Sequence, residues 1–144
     1  MFGKINDRTM KLNEYGEIAE TCLKKIPDHF ACVYMDYMIV MPNHVHLILI
    51  INHPGRGTAC RAPTVEQFGF PVHGSVPTII RSYKSAVTKQ INQIRNTPGM
   101  PVWQRNYYEH IIRNERELHE IRQYIRFNPL QWDRDDENPV NAHL

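Results

Sequence analysis

The chain has few cysteines, almost no acid through its middle and no long hydrophobic run. Cys22, Cys32 and Cys60 are odd in number and lack CxxC spacing. This argues against a zinc site and favours reduced thiols. No stretch approaches the roughly 20 apolar residues of a bilayer-crossing helix. The opening MFGKINDRTM contains no apolar leader core. A cytoplasmic protein with no membrane partner is the expectation. Internal repeats and heptads are also absent. What is present, 144 residues of which 42% are hydrophobic and 22% charged, suits one globular domain with a real core.

Net charge is only +2, yet between Tyr37 and Tyr108 the sole acid is Glu66. Arg56, Arg61, Arg81, Lys84, Lys89, Arg95 and Arg105 lie in that span, so it carries +6 and the flanks −4. A basic middle suits a polyanion such as nucleic acid. The same residues also suit an ordinary solvated surface.

Apolar spacing over residues 12–26 predicts a helix capped by Asn13 and stopped by Pro27. FACVYMDYMIVM (30–41) and HVHLILIIN (44–52) read as two strands joined at Pro42-Asn43. The second is apolar on both faces past its histidines, as in a covered central strand. Residues 53–77 form a proline- and glycine-punctuated loop. Thr78 then caps a helix with Ile79, Ile80, Tyr83, Val87, Ile91 and Ile94 inward. WQRNYYEHII (103–112) is ambiguous and fits another strand. Asn114 followed by Glu117 starts a last helix, with Leu118, Ile121 and Ile125 inward and Pro129 closing it. The domain is expected to span 1–132, with an acidic, irregular tail at 133–144.

His44 and His46 are the first chemical candidates. At i, i+2 on a strand they point the same way, about 7 Å apart at Cβ. Two such imidazoles suit one divalent cation, although packed, hydrogen-bonded histidines occur at the same spacing. Tyr124 and Asn128 are four apart and share a helix face. Tyr124 then lines a crevice or packs as a half-buried aromatic. Asn128 offers an amide oxygen to a metal or caps the helix.

VMPNHVHLILI, GSVPTIIRSYKSAVTKQIN and VWQRNYYEHIIRNERELHEIRQYIRFNPLQW together resemble the REP-associated tyrosine transposases. These belong to the single-tyrosine transposases and their histidine–hydrophobic–histidine nuclease relatives. The resemblance runs from residue 2 to residue 139. It implies an α+β, ferredoxin-like or RRM-like antiparallel sheet with helices packed on it. It further implies cleavage and rejoining of single-stranded DNA at hairpin-bearing repeats through a 5′-phosphotyrosine link. In that assignment Tyr124 is the nucleophile, and His44, His46 and Asn128 hold Mg²⁺ or Mn²⁺. Arg81, Lys84, Lys89 and Arg105 would contact single-stranded or hairpin DNA, with Tyr83 or Tyr107 available for base stacking. Core packing is the favoured role for Tyr83. His110 either orients a phosphate or satisfies a hydrogen bond. The state is left between monomer and homodimer.

Members of that family usually carry a strand before the segment resembling FGKI, so the sheet is expected to lack its first strand. A non-catalytic nucleic-acid-binding remnant is therefore the main alternative. A hydrolase using water, with Tyr124 structural, is the third reading.

Overall fold

The computed structural model describes residues 1–52 and 72–141. Within them, strands β1 (Gly3–Asn6), β2 (Thr9–Leu12), β3 (Val33–Val40) and β4 (Val45–Ile51) accompany helices α1 (Glu14–Lys24), α2 (Ile26–His29), α3 (Val76–Ile94) and α4 (Glu115–Gln131). The expected α+β class holds, with antiparallel strands and helices packed against them. The strands form two hairpins, β1–β2 and β3–β4. Among the described residues β4 has β3 as its one partner strand, so it is not the central strand expected from its two apolar faces.

The first hairpin carried little sequence signal. Its turn places Asp7 and Arg8 at φ 49° and 59°, the left-handed pair that a two-residue hairpin needs, without the glycine that usually announces it. Phe2, fully buried, ties this hairpin to the second: its N–H donates to the Pro42 carbonyl at 2.8 Å, and its own carbonyl accepts from Asn13 N–H at 3.0 Å. That carbonyl also explains Gly16 in the first turn of α1. A Cβ there would lie 2.1 Å from the Phe2 oxygen.

Asn13 caps α1 as expected, its side chain accepting from Gly16 N–H at 3.0 Å. Helix α3 begins earlier than expected. Ser75, not Thr78, is its cap and accepts from the Thr78 N–H at 3.3 Å. Pro77 then falls in the first turn, where a missing N–H costs nothing. Most of the expected 53–77 loop lies outside the described residues, and its last two residues belong to α3. Residues 103–112 form no strand.

The core joins Phe2, Ala19, Cys22, Leu23 and Ile26 to Val33, Val40, Ile79, Tyr83, Val87 and Ile91. Val45, Leu47, Leu49 and Ile51 of β4 pack on this cluster, leaving the opposite parity of β4 for the site. Tyr83 is a core residue, as favoured, with its hydroxyl donating to the Ala19 carbonyl at 3.3 Å. Ile94 is exposed at the helix end. Cys22 is a free buried thiol. Cys32 is disulfide-bonded, which departs from the expectation of reduced thiols.

Helix α4 starts at Asn114, whose side chain accepts from Glu117 N–H at 2.8 Å. It does not close at Pro129, which sits inside its last turn. The proline gives up one intrahelical hydrogen bond. Burial of Ile125, Asn128 and Pro129 on one flank outweighs the local bias against helix at Asn128. Leu118 and Ile121 are half-buried along the same helix.

Candidate active site

The site is assembled by the β3–β4 turn and by one face of α4. Met41 N–H donates to the His44 carbonyl at 2.8 Å, closing the turn over Pro42 and Asn43. This sets His44 at the mouth of β4 and His46 two residues on, toward the same side. Their rings meet edge to face, with centroids 4.6 Å apart and the two Nε2 atoms 2.9 Å apart. Two nitrogens so placed converge on one point, as a shared cation requires.

Residues 124, 128 and 132 recur at four-residue spacing along α4 and its continuation, and so face one way. Tyr124 lies edge to face with His46 at 5.7 Å, and Trp132 packs on His44 at 6.1 Å. Asn128 lies midway between Tyr124 and Trp132 in sequence and so shares their face of the helix. It is buried, and its Oδ1 has no hydrogen-bond partner. An orphaned buried carbonyl oxygen costs about 1–3 kcal/mol, so this atom is ready to accept from or ligate a group brought into the site. Tyr124 is 57% exposed.

Both histidines are suited to ligation because they are held neutral. Burial lowers the His44 pKa, partly offset by the negative charge of Asp135. Burial lowers His46 further, to about 4, aided by its neighbour His44 and opposed by Asp135 and Glu137. A neutral imidazole keeps the lone pair that a metal needs. Among the described residues no three His, Cys, Asp or Glu side chains cluster as a ready-made metal site. For a cation held by His44 and His46, the unpartnered amide oxygen of Asn128 is a candidate third donor. That mixed nitrogen and oxygen set fits Mn²⁺ and, less tightly, Mg²⁺.

A groove of about 1070 Å³ opens beside β4. Its lining includes His44, His46 and Tyr124, together with Lys84 and Arg105 from the expected DNA contacts. Arg81 and Lys89 are exposed on α3 but do not line it. Lys84 is already engaged: its Nζ donates to the carbonyls of Gln104 (3.2 Å) and Asn106 (2.7 Å). It also stands 6.0 Å from the Tyr107 ring centroid. Lys84 thus pins the 104–107 segment along the groove. His110 lines the groove as well, with Nε2 2.7 Å from Glu117 Oε1. Glu117 Oε2 also accepts from Arg113 N–H at 2.8 Å, so this pair fastens the start of α4.

Three site residues were not singled out by sequence reasoning. Asp135 and Glu137 belong to the segment expected to be an irregular acidic tail, yet they line the groove beside the histidines. The tail is ordered by its own asparagines: Asn138 donates to the Trp132 carbonyl (2.9 Å), and Asn141 to the carbonyls of Asp133 (3.0 Å) and Asp135 (2.9 Å). The third is Asn43, read as a turn residue, whose side chain bridges His44 and the tail. Its position directly before the first histidine was the one available signal.

In comparisons with known proteins, the chain is 37% identical over 139 residues to an uncharacterized protein of Haemophilus influenzae, covering 94% of this chain and 76% of the relative. No family model matches, and no solved structure does.

Proposed function

The chain belongs to one family with the uncharacterized Haemophilus influenzae protein, and from the site itself we propose that it is a metal-dependent single-stranded DNA transesterase acting at hairpin-bearing repeats. The observation that carries this reading is the meeting of Tyr124 with His46 at 5.7 Å, across 78 positions of sequence. The order and spacing of the three resembling segments support it, as does the buried, unpartnered Oδ1 of Asn128 on the same helix face as Tyr124.

Tyr124 is the nucleophile. Its oxygen forms a bond to the phosphorus as the bond from phosphorus to the 3′ oxygen breaks. The phenol gives up its proton, the departing 3′ oxygen gains one, and no oxidation state changes. The product is a 5′-phosphotyrosine with a free 3′-hydroxyl. The ester is conserved, so a 3′-hydroxyl can later reverse the step without a separate energy source. Water in place of Tyr124 would end in hydrolysis. A phenol with a pKa near 10 is a poor nucleophile at neutral pH. His44, His46 and Asn128 would hold a Mg²⁺ or Mn²⁺, which when bound would supply Lewis-acid polarisation of the phosphate and offset developing charge. The protein holds the nucleophile and the phosphate site in one geometry. Arg105 and Lys84 line the groove and would meet the backbone of a DNA strand lying in it.

The test is to incubate the full chain with single-stranded hairpin oligonucleotides and Mn²⁺ and look for a protein–DNA adduct that survives denaturation. The adduct should disappear with EDTA and in Tyr124→Phe, and fall at least about 10³-fold in His44→Ala. A folded protein that binds hairpins without forming an adduct would instead be a binding module. Cleavage that survives Tyr124→Phe would replace the tyrosine reading with hydrolysis by water.

A further inference from the structure

We propose that Asn43 is a positioning residue that fixes the tautomer of His44, leaving its Nε2 bare and aimed at the shared site; this deepens the cation-holding role given above to the histidine pair. The orientation of the Asn43 amide follows from its other partner. Its Nδ2 lies 2.6 Å from the Glu137 carbonyl oxygen, and a carbonyl oxygen only accepts. The nitrogen end must face Glu137, so the oxygen end faces His44. Asn43 Oδ1 then stands 2.8 Å from His44 Nδ1. An amide oxygen also only accepts, which requires a hydrogen on Nδ1. A neutral imidazole carries one N–H, and His44 Nε2 is left with its lone pair.

The second histidine follows from the first. The two Nε2 atoms are 2.9 Å apart, and His44 has no hydrogen there to give. His46 must donate, so in the metal-free protein the two rings are opposite tautomers. His44 is set for ligation in advance. His46 must move its hydrogen from Nε2 before it can share a cation. The ordering of the tail supports the arrangement: Asn138 N–H, which shares a peptide with the Glu137 carbonyl, donates to the Asp135 carbonyl at 3.0 Å and so fixes the peptide that orients Asn43. The chain from tail to amide to imidazole is the kind of outer contact that sets ligand orientation at metal sites.

Imidazole ¹⁵N chemical shifts of the metal-free protein read this directly. His44 is expected as the Nδ1–H form and His46 as the Nε2–H form. Asn43→Ala should release His44 into mixed tautomers and lower Mn²⁺ affinity, measured by calorimetry, by about 10- to 100-fold. Asn43→Asp retains an acceptor for Nδ1–H and should retain the His44 tautomer. An Nε2–H His44 in the wild-type protein, or an Asn43→Ala variant with unchanged tautomer, overturns the proposal. If the alanine variant does not fold, the wild-type and Asn43→Asp spectra still decide. If His44 shows the Nδ1–H form only when Asn43 can accept, but no Mn²⁺ binds, the positioning role stands and the cation in the proposed function fails. If Mn²⁺ binds alongside an Nε2–H His44, the cation stands and the positioning role fails.

Discussion

His46 is kept neutral by burial, with its pKa near 4 against an ordinary 6.5. The sign of the consequence is fixed. Between those values the unfolded chain binds a proton that the folded one refuses, so stability is full above pH 6.5 and falls as pH drops toward 4. The loss from this residue reaches up to about 3 kcal/mol. Denaturant titrations from pH 4 to 8 should show a steeper acid decline in the wild-type protein than in His46→Leu. Parallel curves would mean that the imidazole is not held neutral by burial. Metal affinity of the folded protein should hold through most of that range and decline only as pH nears 4, where protons begin to compete for the His46 lone pair.

Between elements, the placement of Tyr124 depends on how α4 is moored to the sheet. The β3 register shifts between Met35 and Tyr37, leaving Asp36 out of the paired ladder. Such a bulge re-aims a side chain, and here Asp36 meets Arg122 of α4. The guanidinium donates to the carboxylate through Nε at 2.8 Å and also through Nη2. This holds the Asp36 carboxyl below the usual carboxylate range. The Arg122 side is 41% exposed, so the pair contributes modestly to stability despite its two-pronged geometry. Asp36→Ala should cost about 1 kcal/mol in denaturant unfolding and lower the rate of adduct formation by about tenfold, since Tyr124 lies two residues from Arg122. Loss of stability without loss of rate would show that the mooring does not position the tyrosine.

At the scale of the molecule, folding redistributes the charge that runs along the sequence. The basic middle does not become a uniformly positive groove. Lys84 and Arg105 line it, but so do Glu109, Glu117, Glu120, Asp135 and Glu137. Negative charge at the histidine end favours a cation there, and under the proposed function it would oppose binding of DNA in the absence of a cation. The contribution of Arg105 can be isolated because its side chain is exposed on the groove, whereas Lys84 also braces Gln104 and Asn106. For hairpin DNA in Mn²⁺, Arg105→Gln should flatten the plot of log affinity against log salt by about 0.7. Lys89→Gln, away from the groove, should leave it unchanged. Equal effects from the two would place the DNA elsewhere on the surface.

Much of this architecture was legible in the chain. Asn13 and Asn114 stand where side-chain oxygens satisfy free helix N–H groups, and the apolar periods of α1, α3 and α4 separate core from surface. The parity of β4 placed His44 and His46 on one side because side chains alternate along any strand. Other features had no local signal strong enough to read. The Asp7-Arg8 turn lacks a glycine, Pro129 continues a helix because packing outweighs one lost hydrogen bond, and an acidic tail looks irregular until its asparagines fold it back. Residue types and their spacing thus determined the α+β class, the histidine pair and the Tyr124–Asn128 helix face. Tertiary structure alone decided that the helix face meets the histidines, that Asn43 and the tail flank them, and that Arg81 and Lys89 lie away from the groove. Those relations join residues distant along the chain, where local conformational preference carries no information.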